Sequence, residues 1–99
     1  MKVYVVGVSM AYLGNEIFSF GSGIKDLEKP KFNHSYYDKI GNNESYWYYY
    51  ETQEEADSSY FTMFRKLKEL RGINNFPESW KEMYDTVYNR AATNYPEIV

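Results

Sequence analysis

His34, with Ser35 beside it and Asp38 four residues on, is the one place where a nucleophile, a base and a carboxylate stand close in the chain. Nucleophilic catalysis needs the base within hydrogen-bond reach of the nucleophile and oriented by a third group, and adjacency in sequence supplies no such geometry. An exposed loop histidine is the plainer reading. A metal centre would need more histidines or converging carboxylates. His34 is the only histidine, there is no cysteine, and the acids show no calcium-loop spacing. Gly21-Ser22-Gly23, followed by Ile24-Lys25, could cradle a phosphate on glycine amides. The spacing matches neither the P-loop nor the dinucleotide fingerprint, so it reads as a turn that ends a strand. No catalytic machinery, metal or cofactor is expected.

Binding is better represented. Tyr46-Trp47-Tyr48-Tyr49-Tyr50 is a run of five aromatics, directly followed by Glu51, Glu54, Glu55 and Asp57. A strand alternates its faces, so the run places large amphipathic rings on both sides of a sheet. The plainer reading of the acids is capping and dipole complementarity at a helix start. The sharper reading joins them to Tyr46, Tyr48 and Tyr50, because rings beside carboxylates grip an arginine-rich surface through cation–π contacts and ion pairs. Such surfaces are typical of proteins that hold nucleic acid. A second candidate is Tyr36, Tyr37 and Asp38, in a segment that reads as a long loop. Arg65, Lys66, Lys68 and Arg71 form a compact basic group, read as the solvated end of a helix rather than as a phosphate site.

Composition narrows the classes. Ninety-nine residues make one small domain. The 20% aromatic content, twelve tyrosines included, resembles the usage of binding surfaces, and reads equally as a small domain that fills its core with rings. A net charge of −3 argues against direct nucleic-acid binding, whose footprint is basic. The apolar start, residues 1–8, is too short for a signal peptide, and nothing approaches a membrane helix of about 20 apolar residues. A cytoplasmic protein is expected, consistent with the absence of cysteine.

The elements that must position these residues follow from periodicity. Valine-rich residues 2–10 and Glu16–Phe20 predict two strands joined near Gly14-Asn15, with Tyr4, Val6, Val8 and Met10 toward the core. Residues 21–44 read as a long loop, with a short helical turn near 35–40. Residues 45–51 predict a third strand, with Trp47 and Tyr49 turned inward because tryptophan has the larger apolar surface to bury. Thr52-Gln53-Glu54-Glu55 matches a capping box. Ala56, Tyr60, Met63, Leu67 and Leu70 then trace a helical stripe to Gly72, predicting a helix over 53–71. Phe76, Trp80, Met83, Tyr84, Val87, Tyr88 and Ala91 predict a second over 76–93. The short link makes the pair antiparallel.

The expected fold is therefore α+β: a three-stranded antiparallel sheet with two antiparallel C-terminal helices packed on one face. The expected function is a protein-binding module whose partner is a larger protein with a basic surface, excluded from its nucleic acid by occlusion. Small size, acidity, tyrosine abundance and the lack of catalytic motifs are similar to phage-encoded anti-defence proteins, including anti-CRISPR inhibitors. That resemblance is compositional and carries no motif. A small-ligand or nucleotide-binding domain with an aromatic pocket, and a homodimer joined through its tyrosine face, are the alternatives.

Overall fold

The computed structural model describes residues 1–11, 16–32, 35–41 and 43–99. Four strands, β1 (Lys2–Ala11), β2 (Glu16–Asp26), β3 (Ser35–Ile40) and β4 (Asn43–Tyr50), form one antiparallel sheet in the order β2-β1-β4-β3. Two helices follow, α1 (Gln53–Arg71) and α2 (Glu78–Asn94). The α+β class and both helices are as the sequence predicts. The turn expected at Gly14-Asn15 and the loop histidine His34 lie outside the described residues.

The segment 21–44 differs from its reading as a loop. Its first residues extend β2, and Gly21, Ser22 and Gly23 pair with Gly7, Val6 and Val5. Glycine lowers strand propensity, and the pairing with β1 outweighs it; opposite Gly21, Gly7 of β1 is the tight position, where a Cβ would stand 3.0 Å from Cδ1 of Trp47. Its last residues form β3, a fourth strand on the outer edge, in place of a helical turn. The hairpin between β3 and β4 closes at the pair Ile40↔Asn43. Gly41, with φ 62°, takes the left-handed conformation that a two-residue hairpin demands.

Cross-strand pairing decides the faces. Tyr4, Val6 and Val8 stand opposite Ile24, Ser22 and Phe20 on one side, and opposite Tyr50, Tyr48 and Tyr46 on the other. Directly opposed residues share a face. Val6 and Phe20 belong to the helix-covered core, so this is the face under α1 and α2. Val3 and Val5 point the other way and are nevertheless buried. Trp47 and Tyr49 share that second face, and the chain must cross the sheet from β2 to β3. Leu27, Pro30 and Phe32, at the start of that crossing, are half-buried.

The core between sheet and helices is built of rings. Phe20 of β2 stacks on Tyr60 of α1 at 4.8 Å and meets the edge of Trp80 of α2 at 6.0 Å. Phe64 lies 4.3 Å from Tyr84 and 5.3 Å from Phe76, which in turn meets Trp80 at 5.1 Å. β2, α1, the link at Phe76 and α2 thus contribute rings to one connected cluster, and offset and edge-to-face pairs of this kind add about 0.5–1.5 kcal/mol beyond area burial. Leu70 and Tyr88, expected on the buried stripes, are exposed instead.

The Thr52 hydroxyl caps α1 by accepting from the Glu55 amide at 3.2 Å, and it donates to the Glu55 carboxylate at 2.9 Å. Gly72, with φ 79°, ends the helix with its amide on the Lys68 carbonyl. Phe64 of α1 meets both Phe76 and Tyr84, while Asp57 meets Arg90, so the helices run antiparallel.

The Tyr60 hydroxyl is fully buried and has no hydrogen-bond partner among the described residues. Burial first, then the nearby Tyr84 and Asp85, push its pKa far up, so it stays neutral. An unpaired buried hydroxyl carries a desolvation cost of roughly 1–3 kcal/mol. Tyr60→Phe is therefore expected to match or exceed the wild type in a urea denaturation midpoint. Trp80→Ala, at a position only 2% exposed, is expected to lose about 3–5 kcal/mol in the same measurement. A wild-type midpoint for the second variant would place the α2 stripe outside the core.

Candidate functional site

The tyrosine run lies along the seam between β4 and α1. Tyr46, Tyr48 and Tyr50 face the helix side, and Trp47 and Tyr49 face away. The expectation that Trp47 and Tyr49 turn inward is therefore corrected. Register decides it: β1 buries its Tyr4, Val6 and Val8 set, and whatever β4 places opposite that set must follow. Tyrosine suits a seam, since its ring can lie beneath the flank of a helix while its hydroxyl reaches a polar group. The Tyr50 hydroxyl donates to Oγ of Ser59 on α1 at 2.7 Å. Tyr48 and Tyr50 line a groove of about 280 Å³ with Ser59, Thr62, Met63 and Lys66.

At one end of the seam Tyr46 stands beside Tyr37 of β3, with ring centroids 5.1 Å apart, and Tyr37 donates to the Glu44 carboxylate at 2.6 Å. Tyr37 is half exposed. The side chains of Tyr36 and Asp38 lie outside the described residues; their backbones pair with Trp47 and Ser45. At the other end stand Glu51, Glu54 and Glu55, all exposed. Tertiary folding adds Glu97 from the C-terminal turn, whose carboxyl hydrogen-bonds that of Glu54. That hydrogen bond, partial desolvation, and the charges of Glu97 and Glu55 hold the Glu54 carboxyl above the ordinary glutamate range. No cation pairs with Glu51, Glu54, Glu55 or Glu97 among the described residues.

Asp57 does not belong to this surface. It is fully buried, where a partner cannot reach it. Position 57 lies one helical turn past Gln53, on the face that α1 turns toward α2. Arg90 of α2 clasps its carboxylate with Nη2 at 2.6 Å and Nε at 3.0 Å, and Gln53 donates to it at 3.0 Å. The Tyr95 hydroxyl donates as well. Burial, then this bond to Asp57, pushes the Tyr95 hydroxyl up to about 12. The hydrogen bond to Asp57 likewise raises Arg90, which stays charged. The set fastens the start of α1 to the end of α2. Its sequence signal is weak, because the partners stand 33 and 38 residues away.

A second concavity runs round the β2 edge, from Ser79, Trp80 and Met83 of α2 to the face that carries Trp47. Gly21 and Gly23 leave a floor without side chains, and the whole cleft measures about 490 Å³. Trp47 bounds it on one side. Met83 of α2 reaches round the β2 edge on the other, its Cε 3.8 Å from where a Gly21 Cβ would stand. Lys25 extends over both Trp47 and Tyr49, with Nζ 5.6 and 5.9 Å from the ring centroids. The legible trace of this cleft is Gly-x-Gly inside a strand, where alternate residues share a face. Arg65, Lys66 and Lys68 are exposed along α1, and the described residues hold no group of three or more metal-ligating side chains. No helix among them is long and apolar enough to cross a membrane.

Two expectations follow. Arg90→Met strands a fully buried carboxylate, at about 3–5 kcal/mol. Asp57→Asn is expected to cost less, because the Arg90 side chain is 31% exposed and can reach water. Denaturation midpoints in that order check the network. Glu54 has a raised folded-state pKa, so its protonation favours the folded state. This contribution is present in full below the unfolded glutamate value and lost as pH rises through the folded one. Glu97→Gln is expected to return the Glu54 titration, followed by carboxyl NMR, toward the ordinary range. An unshifted titration would separate the two carboxyls.

No protein-family model, curated protein or solved structure matches the chain.

Proposed function

We propose that the protein is a binding module that lays its acidic end and tyrosine seam on the basic surface of a larger protein. Binding there inhibits the partner by displacing its nucleic acid, as a phage anti-defence inhibitor would. The carrying observation is a contrast between acids. Asp57, which is buried, has its own arginine, whereas Glu51, Glu54, Glu55 and Glu97 stand at one end with no cation paired to them among the described residues. Like charges so placed are unfavourable in the free protein, and a guanidinium-rich partner relieves that repulsion.

The seam supplies what charge alone lacks. Tyr50 continues directly into the acidic end, Tyr48 lines the groove against α1, and Tyr37 and Tyr46 close the far end. Rings that are partly buried in the free protein are already held in place, so little rotamer freedom is lost on binding. The acids then steer encounter and the rings hold the complex. No acid–base pair with catalytic geometry stands on this surface among the described residues, and the reading is of a binder rather than an enzyme.

The test uses the partner captured by crosslinking in the native host, immobilised for surface plasmon resonance. Tyr48→Ala is expected to weaken binding by at least ~2 kcal/mol if it is an anchor. Glu54→Lys with Glu55→Lys is expected to slow association at low salt, with an effect that shrinks as salt rises. Circular dichroism controls for folding. Wild-type protein should also displace nucleic acid from the partner. Wild-type binding by both variants would exclude this surface.

A further inference from the structure

We propose that the cleft along the β2 edge is a separate site for a small planar aromatic anion, its ring on the β2 glycines between Trp47 and Met83 and its charged group at Lys25. Four features converge on that class. The cleft, about 490 Å³, lies within the range of small-molecule sites, roughly 300–1,000 Å³. Its floor is the backbone of Gly21 and Gly23, which share a face with Gly7, and Trp47 lies against Gly7 as one wall. Its walls are an indole and a thioether, and both suit the face or edge of an aromatic ring.

The fourth feature is the charge. Lys25 is exposed, yet its ammonium is held over Trp47 and Tyr49, and no carboxylate pairs with it among the described residues. In a chain of net charge −3, a lone cation at the mouth of an aromatic cleft selects an anionic ligand. Serine hydroxyls mark the far end, where Ser9 and Ser45 already share a hydrogen bond of 2.8 Å and Ser19 is exposed beside them. A carboxylate and a phosphate monoester are the two chemical forms that the ammonium accepts equally. The β2 edge lies away from the tyrosine seam between β4 and α1, so this site stands whether or not that surface docks on a partner.

Glycine makes the test clean. A Cβ added at Gly23 meets nothing within 4 Å, and its φ is not in the left-handed region, so Gly23→Val fits the strand while filling the cleft. The probes are adenosine monophosphate, indole-3-acetate and uncharged adenosine, titrated by calorimetry and by the Trp47 indole N–H signal in NMR. At least one anion is expected to bind and to move that signal, and adenosine to bind at least about tenfold more weakly. The stronger anion tells a phosphate site from a carboxylate one. Lys25→Met is expected to weaken binding by roughly tenfold or more, the worth of a charge-assisted hydrogen bond. Gly23→Val is expected to abolish binding with the thermal midpoint retained. The proposal is overturned if neither anion binds at millimolar concentration, if adenosine binds as well as the anions, or if both variants bind like the wild type.

Discussion

Two helices can cover only one face of a four-stranded sheet, and nearly every other property of this protein follows from that shortage of cover. The sheet measures its reach against a molecule of 38 × 35 × 18 Å, a slab rather than a sphere. Helices α1 and α2 close the side that carries Val6 and Phe20. The other side must be made tolerable to water by other means. Val3 and Val5 are buried there, the Lys25 ammonium stands over the rings of Trp47 and Tyr49, and serines and glycines take further positions. A face finished with rings, small residues and one cation is also a face with a cleft in it.

The same economy shapes the covered side. With few elements available, the core relies on rings large enough to bridge between layers, and Phe20, Tyr60, Phe64, Phe76, Trp80 and Tyr84 form one connected set. Rings are rigid and fill volume at low entropic cost, but they specify the relative position of two helices poorly. The Asp57–Arg90 pair, with Gln53 and Tyr95, supplies that position through directional bonds. A buried bidentate pair adds little net stability over an apolar replacement, while it penalises any other helix register severely. The Tyr60 hydroxyl shows the opposite case, a polar atom carried into the core with its ring and left without a partner.

Charge is sorted by the same architecture. Asp57 is drawn inside, where it needs Arg90, and the remaining acids of the β4–α1 junction are left outside with Glu97 beside them. The tyrosine seam runs away from that acidic end along the line where α1 fails to reach the sheet edge. The two surfaces are thus distinct in chemistry as well as in place: acids and phenols on one side, an indole and an ammonium on the other.

Much of this was legible in the chain. The capping box at Thr52, the 3.6-residue stripes and Gly72 mark α1 to its boundaries, because a helix is local and its signals lie within a few residues of what they govern. Valine-rich β1, its core-facing Tyr4, Val6 and Val8, and the aromatic strand β4 are likewise local matters of composition and alternation. Four things were not. Residues 35–40 read as part of a loop with a helical turn, and they are a strand because they pair with β4. The glycines of β2 oppose strand formation by propensity, and Gly21 and Gly23 are extended because they pair with Gly7 and Val5 of β1. The direction of the tyrosine run was decided by register alone, since alternation separates Tyr46, Tyr48 and Tyr50 from Trp47 and Tyr49 without saying which set faces inward. Asp57 belongs to the same group, for its fate depends on Arg90 and Tyr95, brought to it across α1 and α2. The sequence by itself determined the local elements and the stock of rings and charges. Only the tertiary structure decided which of them meet, because contacts between residues far apart in the chain are set by packing and not by neighbours.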